Sequence, residues 1–109
     1  MADATQLGKL MNRKNVVLFY RDACPYCRDF KSVFNDMIKN WSSISGGGVG
    51  LHKVDTAAYG RYMQDFPALG EHVRGVPTLL FFNNGQITKY EGNRVSSDII
   101  AAVRGHYSL

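Results

Sequence analysis

The run VVLFY at positions 16–20 constrains the fold of this chain more than any other feature of its sequence. Its residues are β-branched or large and apolar, which favours a strand. A strand with one face in water alternates apolar and polar residues, whereas a continuous apolar run fits a strand that is buried on both faces. The sequence therefore predicts a central strand in a sheet that helices cover on both sides.

The residues after this strand predict a helix and then a second strand. The helix begins near Cys24, and its apolar residues recur at helical spacing: Phe30, Val33, Phe34, Met37, Ile38 and Trp41. The small and glycine-rich residues 42–48 are expected to form a loop, and residues 49–54 a second strand. A βαβ unit follows from this order, with its helix on one face of the sheet.

The second half of the chain predicts an antiparallel addition to this sheet. Residues 76–83 contain a second continuous apolar run and are expected to form a strand. Asn84-Gly85 is a strong hairpin signal, and it connects this strand to a further one at residues 87–91. The sheet is therefore expected to be mixed.

Helical patterns account for most of the remaining sequence. Residues 59–66 have helical spacing up to Pro67, which can begin a new helix, so a two-part helix is expected there. Ser96 or Ser97 can cap a last helix. The order α-β-α-β-α-β-β-α in 109 residues predicts a single α/β domain over residues 1–109, with a central mixed sheet flanked by helices.

The two cysteines of the chain, Cys24 and Cys27, lie where the first strand gives way to the helix. Unpaired backbone amides and the dipole at a helix N-terminus stabilise an anion, so the Cys24 thiolate is favoured and its pKa is expected to fall. Cys27 lies one turn further along the helix. The pair is therefore predicted to be catalytic, with Cys24 as the nucleophile and Cys27 as the resolving thiol. Pro25 suits the first helical turn because it has no amide hydrogen to leave unpaired.

Two other interpretations of the cysteine pair remain open at this stage. The thiols could simply be free, without a chemical role. A structural zinc site needs four ligands, and the only histidines are His52, His72 and His106, which form no paired ligand motif. No metal site is therefore expected.

Several separate stretches resemble the thioredoxin superfamily, and the resemblance covers residues 16–103. KVD at 53–55, VRGVPTLLFFNNG at 73–85 and YEGNR at 90–94 are similar to thioredoxins and, most closely, to the catalytic domains of protein disulfide isomerases. CPYC at 24–27 resembles the glutaredoxin active site. The resemblance implies the thioredoxin fold.

The resemblance also implies how a substrate is bound. The family proline that lies beside the cysteine pair matches Pro77, so the Val76-Pro77 bond is expected to be cis. The backbone of Val76 would then pair with an extended substrate strand. The residues expected to contact substrate are Arg21, Pro25, Tyr26, Val76 and Pro77.

The sequence also departs from the family. Ala23 stands where thioredoxins and disulfide isomerases usually have tryptophan, and Leu18 stands where they have a buried acid. The family lysine on the neighbouring strand matches Lys53. Compared with glutaredoxins, the chain keeps a basic residue at Arg21 but lacks the terminal glycine-glycine-aspartate motif and has Gly75 before Val76-Pro77.

The expected function is exchange or reduction of protein disulfides by a redox-active Cys24–Cys27 disulfide, with no further cofactor. Expected partners are proteins that contain disulfides and a reductant such as a thioredoxin reductase or glutathione. One alternative is a glutathione-dependent glutaredoxin, in which glutathione is a co-substrate. Another is a thioredoxin-fold adaptor whose thiols are incidental.

Composition restricts the other classes of partner. A net charge of +4 is ordinary for a protein surface and does not imply nucleic-acid binding. No apolar run reaches the roughly 18 residues that span a bilayer, and the N-terminal residues lack the apolar core of a signal peptide. A cytoplasmic monomer that binds neither membrane nor nucleic acid is expected, with an exported or virion form as the alternative.

Overall fold

A four-stranded mixed sheet organises the computed structural model of the protein, which describes residues 4–59 and 66–109. The strands are β1 (Lys14–Tyr20), β2 (Gly50–Asp55), β3 (Thr78–Asn83) and β4 (Gln86–Lys89). The helices are α1 (Ala4–Met11), α2 (Pro25–Lys39), α3 (Trp41–Ser45), α4 (Thr56–Tyr59), α5 (Pro67–His72) and α6 (Ser96–Tyr107). Among the described residues, no helix is long and apolar enough to cross a membrane.

The apolar run at positions 16–20 forms an inner strand, as predicted. The order across the sheet is β2-β1-β3-β4, in which β1 is parallel to β2 and antiparallel to β3, while β3 and β4 are antiparallel. Leu18 therefore lies between Lys53 of β2 and Leu79 of β3. Residues 16–19 have no solvent-exposed surface, because helices pack on both faces of the sheet.

Alternate residues of β1 enter two separate hydrophobic cores. Val16 and Leu18 pack on the face that α2 and α6 cover, whereas Val17 and Phe19 pack on the face that α1 and α5 cover. The first core also contains Phe30, Phe34, Met37, Trp41, Val49, Leu79, Phe81, Ile99, Val103 and Tyr107. The second also contains Leu7, Val54, Leu69, Val73, Leu80 and Phe82. This arrangement is the predicted α/β architecture.

The predicted helix through Trp41 and the predicted loop at residues 42–48 are wrong in detail. Helix α2 ends at Lys39, and after Asn40 the short helix α3 begins at Trp41. The break lets the buried indole Nε1 of Trp41 donate a hydrogen bond of 2.6 Å to the Val49 carbonyl. Ile38, which was expected to face inward, is 44% exposed.

The predicted cap of the last helix is also wrong. Val95 occupies the N-cap position of α6 without a side-chain hydrogen bond, and Ser96 is already helical. Instead, Asn93 Nδ2 donates to Asp98 Oδ2 at 3.1 Å, which ties the preceding loop to the first turn. This bond joins two side chains, so it does not replace the backbone cap that the serines were expected to provide.

The remaining helix predictions concern the connection between β2 and β3. Pro67 begins α5, as expected. Most of the helix predicted at residues 59–66 lies outside the described residues. The strand predicted from position 76 begins two residues later, at Thr78, whose hydroxyl donates a hydrogen bond of 2.6 Å to the Gly75 carbonyl.

A polar cluster, which we call the far-end cluster, joins the N-terminal half of β1 to its neighbours and consists of Asn15, His52 and Tyr107. Asn15 Nδ2 donates to the Leu10 carbonyl at 2.9 Å, and its Oδ1 lies 3.2 Å from His52 Nε2. The Tyr107 hydroxyl lies 3.1 Å from the Asn15 carbonyl and 2.7 Å from the Phe82 carbonyl. A Cβ on Gly50 would overlap Asn15 Oδ1, so glycine leaves the room that this cluster needs.

Candidate active site

The two cysteines lie at the start of α2, just beyond the carboxyl end of β1. Cys24 is the N-cap residue of α2, with Pro25 in the first turn, as the sequence predicts. Cys24 is partly exposed, whereas Cys27 is completely buried. Both are free thiols. One sulfur of the pair can therefore reach a substrate while the other lies beneath the surface.

Hydrogen bonds fix the position of the Cys24 sulfur. The backbone N–H of Cys27 donates to Cys24 Sγ at 3.3 Å, which is the capping bond of the helix. The Cys24 thiol lies 3.8 Å from the Val76 carbonyl, to which it donates. The amide of Cys24 donates to the Arg21 carbonyl at 3.2 Å. These contacts hold the sulfur between the helix terminus and the loop before β3.

The surroundings shift the pKa values of the two thiols in opposite directions. A hydrogen bond from the Cys27 thiol is the main reason that the pKa of Cys24 is lowered, and the backbone amides of Cys27 and Tyr26 also contribute, against the effect of burial. Burial is the main reason that the pKa of Cys27 is raised, followed by its hydrogen bond to Cys24. Ionisation of the pair therefore favours the accessible sulfur.

The loop before β3 brings Val76 and Pro77 to the cysteines. The Val76-Pro77 peptide bond is cis, in agreement with the prediction. Both residues are partly buried, and the Val76 carbonyl is the group that contacts Cys24. The structure therefore places this loop beside the nucleophile.

The other residues predicted to contact substrate surround the cysteine pair at the surface. Pro25 is exposed, and Tyr26 is 70% exposed although it is a large aromatic residue. Arg21 is exposed as well, and its Nε donates to Thr56 Oγ1 at 3.2 Å. Their contacts with substrate stay predictions.

Leu18, where the sequence departs from the family, and Lys53, where it agrees, are partners on the neighbouring strands β1 and β2. Leu18 is completely buried in the α2 and α6 core, so an apolar side chain occupies the place of the family acid. Lys53 Nζ donates to Asn35 Oδ1 at 3.0 Å on the outside of α2. The lysine is therefore held by an exposed amide.

Arg94 belongs to this site, although the sequence reasoning did not single it out. Its guanidinium lies 5.6 Å from the centre of the Phe30 ring. Its positive charge contributes to the lowered pKa of Cys24 and partly opposes the burial that raises the pKa of Cys27. The available signal was the YEGNR stretch, which indicated the family without indicating where its arginine would lie. Only the packing of the loop after β4 against α2 brings this charge to the thiols.

A pocket of about 280 Å³, which we call the side pocket, is lined in part by Pro77, the residue after the one that contacts Cys24. Phe30 and Pro77 form one part of its wall, and Lys89, Tyr90, Glu91 and Arg94 form another. Among residues 4–59 and 66–109, no three His, Cys, Asp or Glu side chains are grouped so that they could hold a metal ion.

The family of this chain follows from comparison with known proteins. The family model described as thioredoxin matches residues 4–105. The chain belongs to the thioredoxin family. The Cys24 and Cys27 spacing is the CXXC motif, and the predicted relationship and fold are confirmed.

Two curated relatives of this thioredoxin-family chain are disulfide isomerases. The chain is 30% identical over 92 residues to protein disulfide-isomerase 1 of Caenorhabditis elegans, covering 82% of this chain and 17% of the relative. It is 32% identical over 92 residues to protein disulfide-isomerase of Drosophila melanogaster, covering 81% of this chain and 16% of the relative. The chain thus spans about a sixth of the length of these relatives.

Solved structures agree on the fold. A thioredoxin of Malassezia sympodialis superposes with a TM-score of 0.73 at 24% identity, covering 97% of this chain and 87% of that one. The first thioredoxin domain of mouse protein disulfide-isomerase A4 superposes with a TM-score of 0.75 at 20% identity, covering 95% and 71%. The fold of this protein is therefore the thioredoxin fold.

Proposed function

We propose that the protein is a thiol–disulfide oxidoreductase that reduces or exchanges disulfides of protein substrates. The observation that carries this proposal is the asymmetry between the two thiols of the CXXC pair. Cys24 is accessible and has a lowered pKa, whereas Cys27 is buried and has a raised pKa. A two-step exchange requires an accessible nucleophile that attacks the substrate and a second thiol beneath it that attacks the resulting mixed disulfide.

In the first step, the Cys24 thiolate attacks one sulfur of the substrate disulfide. A bond forms between Cys24 Sγ and that sulfur, the substrate S–S bond breaks, and the other substrate sulfur leaves as a thiolate that takes a proton from water. The backbone amide that donates to Cys24 Sγ favours the thiolate before the attack. The backbone of Val76, whose carbonyl contacts Cys24, would pair with an extended substrate segment and align its disulfide.

In the second step, Cys27 loses its proton and attacks Cys24 Sγ. The Cys24–Cys27 disulfide forms, the mixed disulfide breaks, and the second substrate thiolate leaves and is protonated. The substrate has then gained two electrons and two protons, and the protein has lost them. A dithiol reductant or glutathione would return the pair to its reduced form, and the same steps run in reverse when the protein oxidises a dithiol.

Matched serine variants at the two cysteines test this proposal. The substrate is insulin with dithiothreitol as the reductant, and thermal unfolding of each variant checks its fold. Cys24→Ser should abolish the acceleration of insulin reduction, because the nucleophile is gone. Reduced Cys27→Ser, freed of dithiothreitol and then mixed with insulin, should instead accumulate a disulfide between Cys24 and the substrate, visible on non-reducing gels and by mass spectrometry.

The same variants separate this proposal from its two alternatives. Full activity of folded Cys24→Ser would contradict it. A wild-type protein without turnover, whose partner binding Cys24→Ser leaves unchanged, would favour an adaptor. A wild-type protein that reduces a glutathione mixed disulfide but leaves insulin at the uncatalysed rate would contradict a protein-disulfide role and favour a glutaredoxin. Equal trapping through Cys27 in a Cys24→Ser variant would reverse the assigned roles.

A further inference from the structure

We infer that the side pocket is a specificity subsite for an acidic side chain close to the reacting cysteine of a protein substrate. This inference rests on the proposed function, because it concerns which disulfides the Cys24 site prefers. It adds a selection by charge that the CXXC motif does not itself encode. Three observations support it: the position of the pocket, its charge and its size.

The position of the pocket follows from the loop before β3. The carbonyl of Val76 lies 3.8 Å from the Cys24 sulfur, and the next residue, Pro77, lines the side pocket. The pocket wall therefore includes the residue that directly follows the one in contact with the nucleophile. An extended peptide advances about 3.3 Å per residue. A side chain one to three residues from the substrate cysteine can thus enter the pocket during attack.

The charge of the pocket favours a carboxylate. Lys89 and Arg94 provide two positive charges to its wall, and Glu91 provides one negative charge. Among the described residues, the ion pairs join Lys31 to Asp22 and Lys39 to Asp36, so neither cation of the pocket is neutralised by such a pair. Arg94 also acts electrostatically on both thiols, so its charge belongs to the surroundings of the reacting sulfurs.

The aromatic residues of the pocket make it a formed cavity with a fixed wall. The Tyr90 hydroxyl donates to the Asn93 carbonyl at 2.5 Å, and the Tyr90 ring lies 6.0 Å from that of Phe81. A Cβ on Gly92 would overlap the Tyr90 ring, so glycine is needed for this packing. The Tyr90 ring is therefore held in place in the wall to which Arg94 also contributes, and the Arg94 guanidinium packs over Phe30.

The size of the pocket indicates part of a larger substrate. Its volume of about 280 Å³ lies just below the roughly 300–1,000 Å³ of small-molecule sites. One or two side chains of a peptide fit such a space. The side chain of an aspartate or glutamate next to the substrate disulfide fits the volume of the pocket and complements its positive charge.

The test compares two peptide disulfides that differ in one residue. Both carry the same disulfide, and one has Glu at the single position where the other has Gln. One such pair is made for each position within three residues of the cysteine. The measurement is kcat/KM for reduction by the wild-type protein with dithiothreitol as the reductant. The Glu peptide should be preferred at one or more positions by about two- to fivefold, and added salt should reduce the preference.

Three charge variants then assign the preference to the pocket. Lys89→Gln should reduce the ratio of Glu to Gln rates, whereas Glu91→Gln should increase it, since the two changes alter the pocket charge in opposite directions. Lys39→Gln is the matched control, because Lys39 is an exposed cation at the opposite end of α2, about three helical turns from Cys27. It should leave the ratio unchanged.

The possible outcomes distinguish this inference from the proposed function. Equal rates for all Glu and Gln peptides, with normal turnover, would overturn the subsite and leave the oxidoreductase intact. A preference that Lys89→Gln and Lys39→Gln reduce equally would overturn it too, because general charge would then be the cause. If glutathione disulfide were reduced faster than every peptide, and the Glu and Gln peptides were reduced at equal rates, the pocket would be a glutathione site instead. Absence of turnover with every peptide would contradict the proposed function and the subsite together.

Discussion

The two ends of β1 present polar groups in opposite ways. At the N-terminal end, the far-end cluster of Asn15, His52 and Tyr107 bonds polar groups of β1, β2, β3 and α1 to one another. At the carboxyl end, the Cys24 sulfur has longer contacts of 3.3 and 3.8 Å and stays partly exposed. At one end of the strand the polar groups are paired with one another, and at the other end a sulfur is open to an incoming substrate.

This difference shows how one sheet can serve stability and chemistry at separate places. Polar groups that are already paired stabilise the fold, whereas a nucleophile needs free surface and a shifted pKa. We therefore expect changes in the far-end cluster to lower the free energy of unfolding without altering the chemistry. Changes at the cysteines should alter the chemistry and leave the free energy of unfolding nearly unchanged.

The largest expected difference concerns the reactivity of the thiols themselves. In the reduced wild-type protein at pH 7, iodoacetamide should modify Cys24 more than about tenfold faster than Cys27, since the first thiol has the lower pKa and the greater access. Mass spectrometry of digested samples, taken over a series of pH values, measures both rates. Faster modification of Cys27 would contradict the assignment of Cys24 as the reactive thiol at the open end of β1.

Removal of the Asn15 side chain should have the largest effect on stability. Asn15→Ala leaves the part-buried Leu10 carbonyl without this partner and removes the contact with the exposed His52 ring, so the free energy of unfolding should fall by about 1 to 2 kcal/mol. Urea unfolding followed by the fluorescence of the single tryptophan, Trp41, measures the loss. Activity per folded molecule should stay at the wild-type value, and a large change in it would contradict the separation of the two ends.

Tyr107→Phe tests the connection between α6 and the sheet. The variant keeps the ring but loses the hydroxyl that contacts the Asn15 and Phe82 carbonyls, so the free energy of unfolding should fall by about 1 kcal/mol. Tyr90→Phe is a comparison at the other end of the sheet, where the same atom is removed from the wall of the side pocket. If Tyr107→Phe changed kcat/KM more than Tyr90→Phe does, the far-end cluster would not be purely structural.

The smallest expected effect is a pH dependence at His52. Desolvation lowers the pKa of His52 in the folded protein, so the unfolded chain binds the proton more readily. Above about pH 6.5 His52 is neutral in both states, so it does not lower the free energy of unfolding there. The free energy of unfolding falls as the pH decreases from that value through the lowered pKa of the folded protein. It amounts to at most about 0.5 kcal/mol, because solvent screens an exposed residue. Urea unfolding at pH 7.5 and pH 5 should show a smaller loss for His52→Gln than for wild type, and equal losses would contradict it.

The amino-acid sequence predicts those features that neighbouring residues decide together. The apolar run at 16–20 predicts β1, Asn84-Gly85 predicts the hairpin, and the position of the cysteines predicts a helix that begins at Cys24. Each of these depends on periodicity, turn chemistry or a helix terminus, which act within a few residues. The chemical asymmetry of Cys24 and Cys27 belongs to the same group.

Tertiary structure alone decided the features that join distant parts of the chain. The break between α2 and α3 depends on the bond of Trp41 to Val49, and the side pocket depends on the approach of Arg94 to Phe30. The far-end cluster likewise brings Tyr107 to Asn15 from the other end of the chain. Local patterns carry no information about such contacts, because the order of strands and the packing of helices on them determine which side chains meet.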